Sequence, residues 1–228
     1  MIITLDIETL PTTDPEVIAC FADSIKAPAT HKKPETIAQW RAENKEQAIK
    51  DAVSKTSFDG LYGSIACICW MIDDGPDVFS VSVKDMDERT MLETFYSYVE
   101  SQTSVEHFQG HALIDLVVCG HNVAGFDLPF MKHRSIINRV KPTGSILKAM
   151  NASKYSPLIA DTMLMWSSDP QKRASMDRLC KAFGLDGKGD FDGSMVADTW
   201  PVDPDKVISY CEDDVLRTRE IYKRITFA

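Results

Sequence analysis

Apolar positions cluster near the amino end in residues 2–8, a β-prone run that predicts a first strand with Asp6 and Glu8 near its end. Residues 14–26 and 34–55 carry helical spacing. The second stretch is highly charged, with Ile37, Trp40, Ala48 and Val53 as its sparse apolar members. Segment 64–72 (SIACICWMI) is almost continuously apolar, which predicts a strand covered on both faces. After the turn at Asp74-Gly75-Pro76, residues 77–83 alternate and predict its hairpin partner. Residues 87–101 place Met91, Leu92, Phe95, Tyr98 and Val99 at helical spacing. Beyond them the pattern predicts a strand over 114–119, a helix over 128–140 and a short strand over 157–161. A helix over 175–183 should stop at Gly184, and a final helix should start at Asp203-Pro204 and run to about 225. This order predicts a mixed α/β sheet flanked by helices, in one domain spanning 1–228. A helical insertion over 11–60 follows the first strand and looks dispensable to the sheet.

Composition narrows the classes. No stretch approaches the roughly 20 apolar residues of a membrane span. The first ten residues carry two carboxylates and no basic region, so the expectation is a cytoplasmic protein. Six cysteines sit mostly in apolar runs without a C-x-x-C pair, which predicts buried free thiols rather than zinc or disulfides. The net charge of −9 argues against a protein that coats nucleic acid, because that binding needs a basic face. It leaves open the grip of a strand end, with divalent cations supplying the positive charge.

Three carboxylate features carry candidate chemistry. Asp6 and Glu8, two apart on a strand, point to one face while Leu5 and Ile7 point to the other. Strand interiors disfavour Asp, so something should reward it there. The run Gly120-His121-Asn122-Val123-Ala124-Gly125-Phe126-Asp127 links a buried strand to a helix, which Asp127 is placed to cap. On the last helix, Tyr210 and Asp214 are neighbours one turn apart, beside an inward stripe of Val207, Cys211, Val215, Thr218, Tyr222 and Ile225. Spacing alone does not choose Asp214 over Asp213.

Together, D-x-E (Asp6, Glu8), N-x-x-x-F-D (Asn122, Phe126, Asp127) and Y-x-x-x-D (Tyr210, Asp214) resemble the three exonuclease motifs of the DEDD superfamily. The match is to the tyrosine subtype, similar to the proofreading domain of family-B DNA polymerases and its stand-alone relatives. The histidine subtype would need a His where Ser209 stands. The stretch from Met176 to Leu185, with Lys188 and Gly193 beyond, is similar to the segment those relatives carry before the third motif. Residues 11–60 have no counterpart in the resemblance.

The resemblance implies a ribonuclease H-like five-stranded fold and a metal-dependent 3′–5′ exonuclease. Its substrate would be single-stranded or frayed DNA, and its products nucleoside monophosphates. It implies two divalent cations, magnesium or manganese, held by Asp6, Glu8, Asp127 and Asp214, an all-oxygen set that suits such ions. Two carboxylates about 4 Å apart repel by about 4 kcal/mol at an effective dielectric near 20, so a fold that gathers four must protonate some or bind a cation. Tyr210 would orient the attacking water, since an ordinary phenol titrates near 10 and is a poor base at neutral pH. Thr9, Leu10, Asn122 and Phe126 are the candidates for gripping the terminal nucleotide. Alternatives are an exoribonuclease, or a non-catalytic replication adaptor that binds its partner through 34–55. Asp161 is expected to be an ordinary strand-end Asp. Lys132-His133-Arg134 and Lys172-Arg173 are expected to be surface charge. His107 and His111, at helical metal spacing, are expected to be surface residues, and His121 is given no role.

Overall fold

The computed structural model describes residues 1–228 except 108, 109, 114, 115, 143, 168, 170, 171 and 188, with only the backbone of 104–107 and 110–113. The first strand, β1 (Ile2–Leu10), is followed by helices α1 (Pro15–Ser24) and α2 (Pro34–Ser54) and a 3-10 turn over Lys55–Phe58. Strands β2 (Ser64–Ile72) and β3 (Phe79–Ser82) lead to helix α3 (Glu88–Thr103). A small hairpin of β4 (Ser104–His107) and β5 (Gly110–Leu113) precedes β6 (Val117–Gly120) and helices α4 (Asp127–Ile137) and α5 (Gly144–Met150). Strand β7 (Ile159–Asp161) then opens a run of helices: α6 (Thr162–Trp166), α7 (Met176–Phe183), α8 (Val196–Thr199) and α9 (Pro204–Thr226).

The main sheet has five strands in the order β3-β2-β1-β6-β7. Strand β1 pairs antiparallel with β2 and parallel with β6, and β7 extends the parallel side. The expected mixed α/β architecture is therefore present.

The two faces of the sheet explain the apolar pattern. Leu5 opposes Trp70 and Ile7 opposes Ile68. These side chains face a core shared with Met91, Leu92 and Phe95 of α3 and Leu128 and Met131 of α4. On the other face Asp6 opposes Cys69 and Glu8 opposes Cys67. There Cys67, Cys69 and Met71 pack against Cys211 and Val215 of α9. Because both faces of β2 are covered, its whole length reads as apolar.

Several expectations are corrected. Cys20 is exposed, while the other five cysteines are buried thiols in no disulfide. The inward stripe of α9 is continued by Ile221, fully buried, rather than by the half-buried Tyr222. The helix expected over 128–140 ends at Ile137 because Arg139 takes a positive φ of 55°. His107 and His111 lie on the paired strands β4 and β5, so their helical spacing does not apply. Short helices α5, α6 and α8 carry too few residues for a periodic signal.

Arg134 is not surface charge. It forms a partly buried ion pair with Glu88 at 2.7 Å, with side chains 12% and 11% exposed, and its guanidinium also donates to the Gly60 carbonyl. Glu88 in turn accepts from the Ile65 amide and Asn138. One ion pair thus ties together α3, α4, β2 and the end of the insertion. Lys132, by contrast, donates at the surface to Asn151, and Lys172 pairs with Asp169 as an exposed charge.

Candidate active site

The site is built where the parallel strands end. Between Glu8 and Thr9 the register of β1 against β2 shifts by one, a local irregularity of the kind that re-aims side chains beside binding sites. Asp6 and Glu8 sit just before this shift.

At the end of β6, residues 121–126 form a loop shaped by three demands. Asn122 adopts a positive φ of 69°, which Asn tolerates better than most residues. Its carbonyl accepts from the amides of Gly125 and Phe126. A Cβ at Gly125 would stand 2.5 Å from the Asn122 side-chain oxygen, so a side chain there would have to push the Asn122 amide aside. Asp161, at the end of β7, is 2% exposed and clamps this loop by accepting from the amides of Asn122 and Ala124, both at 3.1 Å. It also caps α6 through the amides of Met163 and Leu164. That is more than an ordinary strand-end Asp: it fixes the loop that leads into Asp127.

Asp127 occupies the first turn of α4, where Phe126 rather than Asp127 takes the cap position without a side-chain bond. The Asp127 carboxylate instead accepts from the amide of Ile7 on β1 at 3.2 Å. Burial pushes its carboxyl up to about 7, although its own amide and that of Ile7 favour the charged form, and the nearby Asp161 adds to the rise. From α9 come Tyr210 and Asp214. Asp214 is 2% exposed, whereas the Asp213 side chain is 54% exposed, so packing settles what spacing left open. Arg217 takes one oxygen of Asp214 at 3.0 Å and also pairs with Asp213. It is not part of the cavity wall.

One cavity of about 240 Å³ is lined by Asp6, Glu8, Asp127, Asp214 and Tyr210 together with Thr9, Asn122 and Phe126. Leu10 does not line it. His121, to which the sequence assigns no role, Gly193 from the segment before the third motif, and Ser57 and Phe58 of the insertion also line it. His121 bonds to the Thr162 hydroxyl through Nδ1 at 2.9 Å. Tyr210 is braced edge-on by Phe191, with ring centroids 4.9 Å apart. Lys188 lies outside the described residues.

Under the carboxylates, Cys67, Cys69 and Cys211 bring their sulfurs within 4.8 Å of one another, and Cys211 lies equally near Asp6 and Glu8. The Cys211 thiol donates to Asp6, and burial pushes it up, so it remains a neutral thiol packing the sheet against α9. Sequence spacing could not reveal this trio, because one member comes from the far end of the chain.

The cavity therefore gathers oxygen donors from four carboxylates, one of them buried enough to be held toward its neutral form. That chemistry fits hard divalent cations, which prefer oxygen to sulfur.

Comparison with known proteins bears on the family and the fold. A family described as "Predicted 3'-5' exonuclease related to the exonuclease domain of PolB" matches residues 61–228. No curated protein sequence matches the chain. Among solved structures, the family B DNA polymerase of the hyperthermophilic archaeon Pyrobaculum calidifontis is similar in fold, with a TM-score of 0.57 and 16% identity. That likeness covers 99% of this chain and 24% of the polymerase, so the chain spans about a quarter of its length. The family match begins after β1, so Asp6 and Glu8 join the other carboxylates through the sheet rather than through the matched segment.

Proposed function

The chain belongs to the family of predicted 3′–5′ exonucleases related to the exonuclease domain of PolB, and from that premise we propose that it removes nucleoside monophosphates from the 3′ end of single-stranded or frayed DNA. The observation that carries this reading is the convergence of Asp6, Glu8, Asp127 and Asp214 on one cavity, from β1, α4 and α9, with Tyr210 beside them.

In this reading Asp6, Glu8, Asp127 and Asp214 hold two divalent cations, magnesium or manganese. When bound, such ions offset the gathered negative charge and supply Lewis acidity to phosphate and water. Tyr210, held edge-on by Phe191, lines the cavity and orients the attacking water. Asn122 and Phe126 line the place of the terminal nucleotide, and Thr9 supports that wall by donating its hydroxyl to the Ser57 carbonyl at 2.7 Å. Asp161 acts through others as a positioning residue, because it fixes the loop between β6 and α4.

A protein partner is proposed for the surface of 34–55. Helix α2 buries none of its residues, which leaves its charged face available to another chain. No described helix is long and apolar enough to cross a membrane.

The test uses 3′-labelled and 5′-labelled single-stranded DNA and RNA, with manganese or chelator. Stepwise release of mononucleotides from the 3′ end of DNA, lost in chelator and in Asp6→Ala and Asp214→Ala proteins that still fold, is the expected result. Tyr210→Phe should slow the reaction and leave metal binding intact. Full activity in the Asp6→Ala protein would end the assignment, and preferential cleavage of RNA would change the substrate to RNA.

A further inference from the structure

The insertion between β1 and β2 contributes a side chain to the cavity, although the family match begins only at residue 61. Phe58 ends the 3-10 turn over Lys55–Phe58 and lines the cavity with the carboxylates, yet its side chain is 71% exposed. An aromatic ring this open is ordinarily found on a surface free to adjust, but this turn is anchored on several sides. Thr56 is buried, donates its hydroxyl to the Val53 carbonyl and accepts from the Thr12 amide. The Ser57 carbonyl accepts from Thr9, one residue beyond Glu8. Asp59 then bonds back to the Thr56 carbonyl and accepts from the amides of Tyr62 and Gly63. Gly63 passes so close that a Cβ there would stand 2.5 Å from the Thr56 carbonyl and 2.9 Å from that of Leu10. The turn is fixed to the end of β1, and Phe58 is held out over the cavity mouth.

Its neighbour across the mouth is Phe126, with ring centroids 6.4 Å apart and planes inclined by 59°. Phe126 is braced from behind by Phe130 of α4 at 5.6 Å. A rigid, exposed aromatic ring beside a polar cavity offers a face on which any base can stack, because every nucleobase has a π-face. A cavity with four carboxylates repels a phosphate backbone, so apolar stacking is the contact that such a site can make to a strand without added charge.

We propose that Phe58 is a base-stacking residue: it holds an unpaired nucleobase near the 3′ end of the strand whose terminal phosphodiester enters the carboxylate cavity. This rests on the exonuclease reading for its substrate, while the contact itself is one of binding. Stacking of this kind is tolerant of base identity, so the subsite selects unpaired over paired ends rather than one sequence over another.

The test separates binding from hydrolysis. Wild type, Phe58→Ala and Phe58→Trp proteins are titrated onto short oligothymidylates blocked at the 3′ end by phosphorothioate linkages. Each strand carries a single 2-aminopurine at the first, second or third position from that end. Wild type and Phe58→Trp should quench the fluorophore at one position, and Phe58→Ala should lose that quench and bind about tenfold more weakly. On hydrolysable strands Phe58→Ala should raise KM by a similar factor and keep kcat within about twofold, and an abasic residue at the quenched position should erase the difference between it and wild type. Because Phe58 is so exposed, the variant should melt within about 2 °C of wild type. Equal quenching and affinity in Phe58→Ala and wild type would overturn the subsite while leaving the exonuclease standing. Quenching that depends on Phe58 in a protein that cleaves no strand would keep the subsite and sink the exonuclease. Absence of strand binding by wild type would overturn both.

Discussion

Burial holds the Asp127 carboxyl up at about 7, against an ordinary value near 3.8, although two backbone amides favour its charged form. The folded protein therefore binds this proton more tightly than the unfolded chain does. Below about pH 4 both forms are protonated and the group leaves stability unchanged. As pH rises toward 7 the unfolded chain ionises first, so stability falls, and above 7 the loss is constant. Asp127→Asn keeps an acceptor for the Ile7 amide and removes the charge. In chelator the variant should melt with wild type at pH 4 and on the order of 5 °C above it at pH 8. Identical melting at both pH values would show that the carboxyl is not held toward neutrality. Asp213 and Asp214 make the complementary point at this scale. They are adjacent in the chain, yet only Asp214 turns into the cavity.

At the scale of elements, the carboxylate-bearing strand β1 lies between β2 and β6, and everything that fixes those neighbours also fixes Asp6 and Glu8. The partly buried Glu88–Arg134 pair is one such fixture, because it joins α3 and α4 to the start of β2 and to Gly60. Removing one partner leaves the other charge largely out of water without compensation, which costs about 3 kcal/mol, the low end for a buried pair. Glu88→Ala should therefore lower the melting temperature by roughly 10 °C in thermal denaturation, with activity per folded molecule kept at low temperature. A fall of under about 2 °C would mean that water screens the pair. The one-letter run Lys-His-Arg over 132–134 gives no sign of this, since a buried arginine and a surface one are spelled alike. The insertion is similar: α1 and α2 bury none of their residues, as the sparse apolar pattern of α2 suggests, but the turn that follows is locked to β1.

For the whole molecule, a net charge of −9 and four converging carboxylates make the metal-free fold electrostatically costly near its site. Cations that bind the folded cluster and not the dispersed carboxylates of the unfolded chain should stabilise the protein by mass action. At manganese concentrations about a hundredfold above its dissociation constant, the expected gain is about 2.7 kcal/mol, or roughly 5–10 °C in melting temperature. The Asp6→Ala and Asp214→Ala proteins should show little of this shift. An unchanged wild-type melting point across millimolar manganese would speak against the cluster as a cation site.

The amino-acid order alone determined the apolar runs that make β1 and β2, most of the stripe of α9 and the stop at Gly184, whose φ of 68° glycine tolerates without strain. It also determined the three motifs, because each is local: two residues on a strand, one loop and one helical turn. The motif resemblance selected Asp214 where spacing left Asp213 open, and only the tertiary structure decided that Asp161 clamps the Asn122 loop. It alone showed that Arg134 is tied to Glu88, that Cys211 meets Cys67 and Cys69 beneath Asp6, and that Phe58 overhangs the site. These depend on contacts between residues far apart in the chain, whose free energy is set by burial and partner geometry. Periodicity records which face of an element turns inward, and it carries no information about which other element that face will meet.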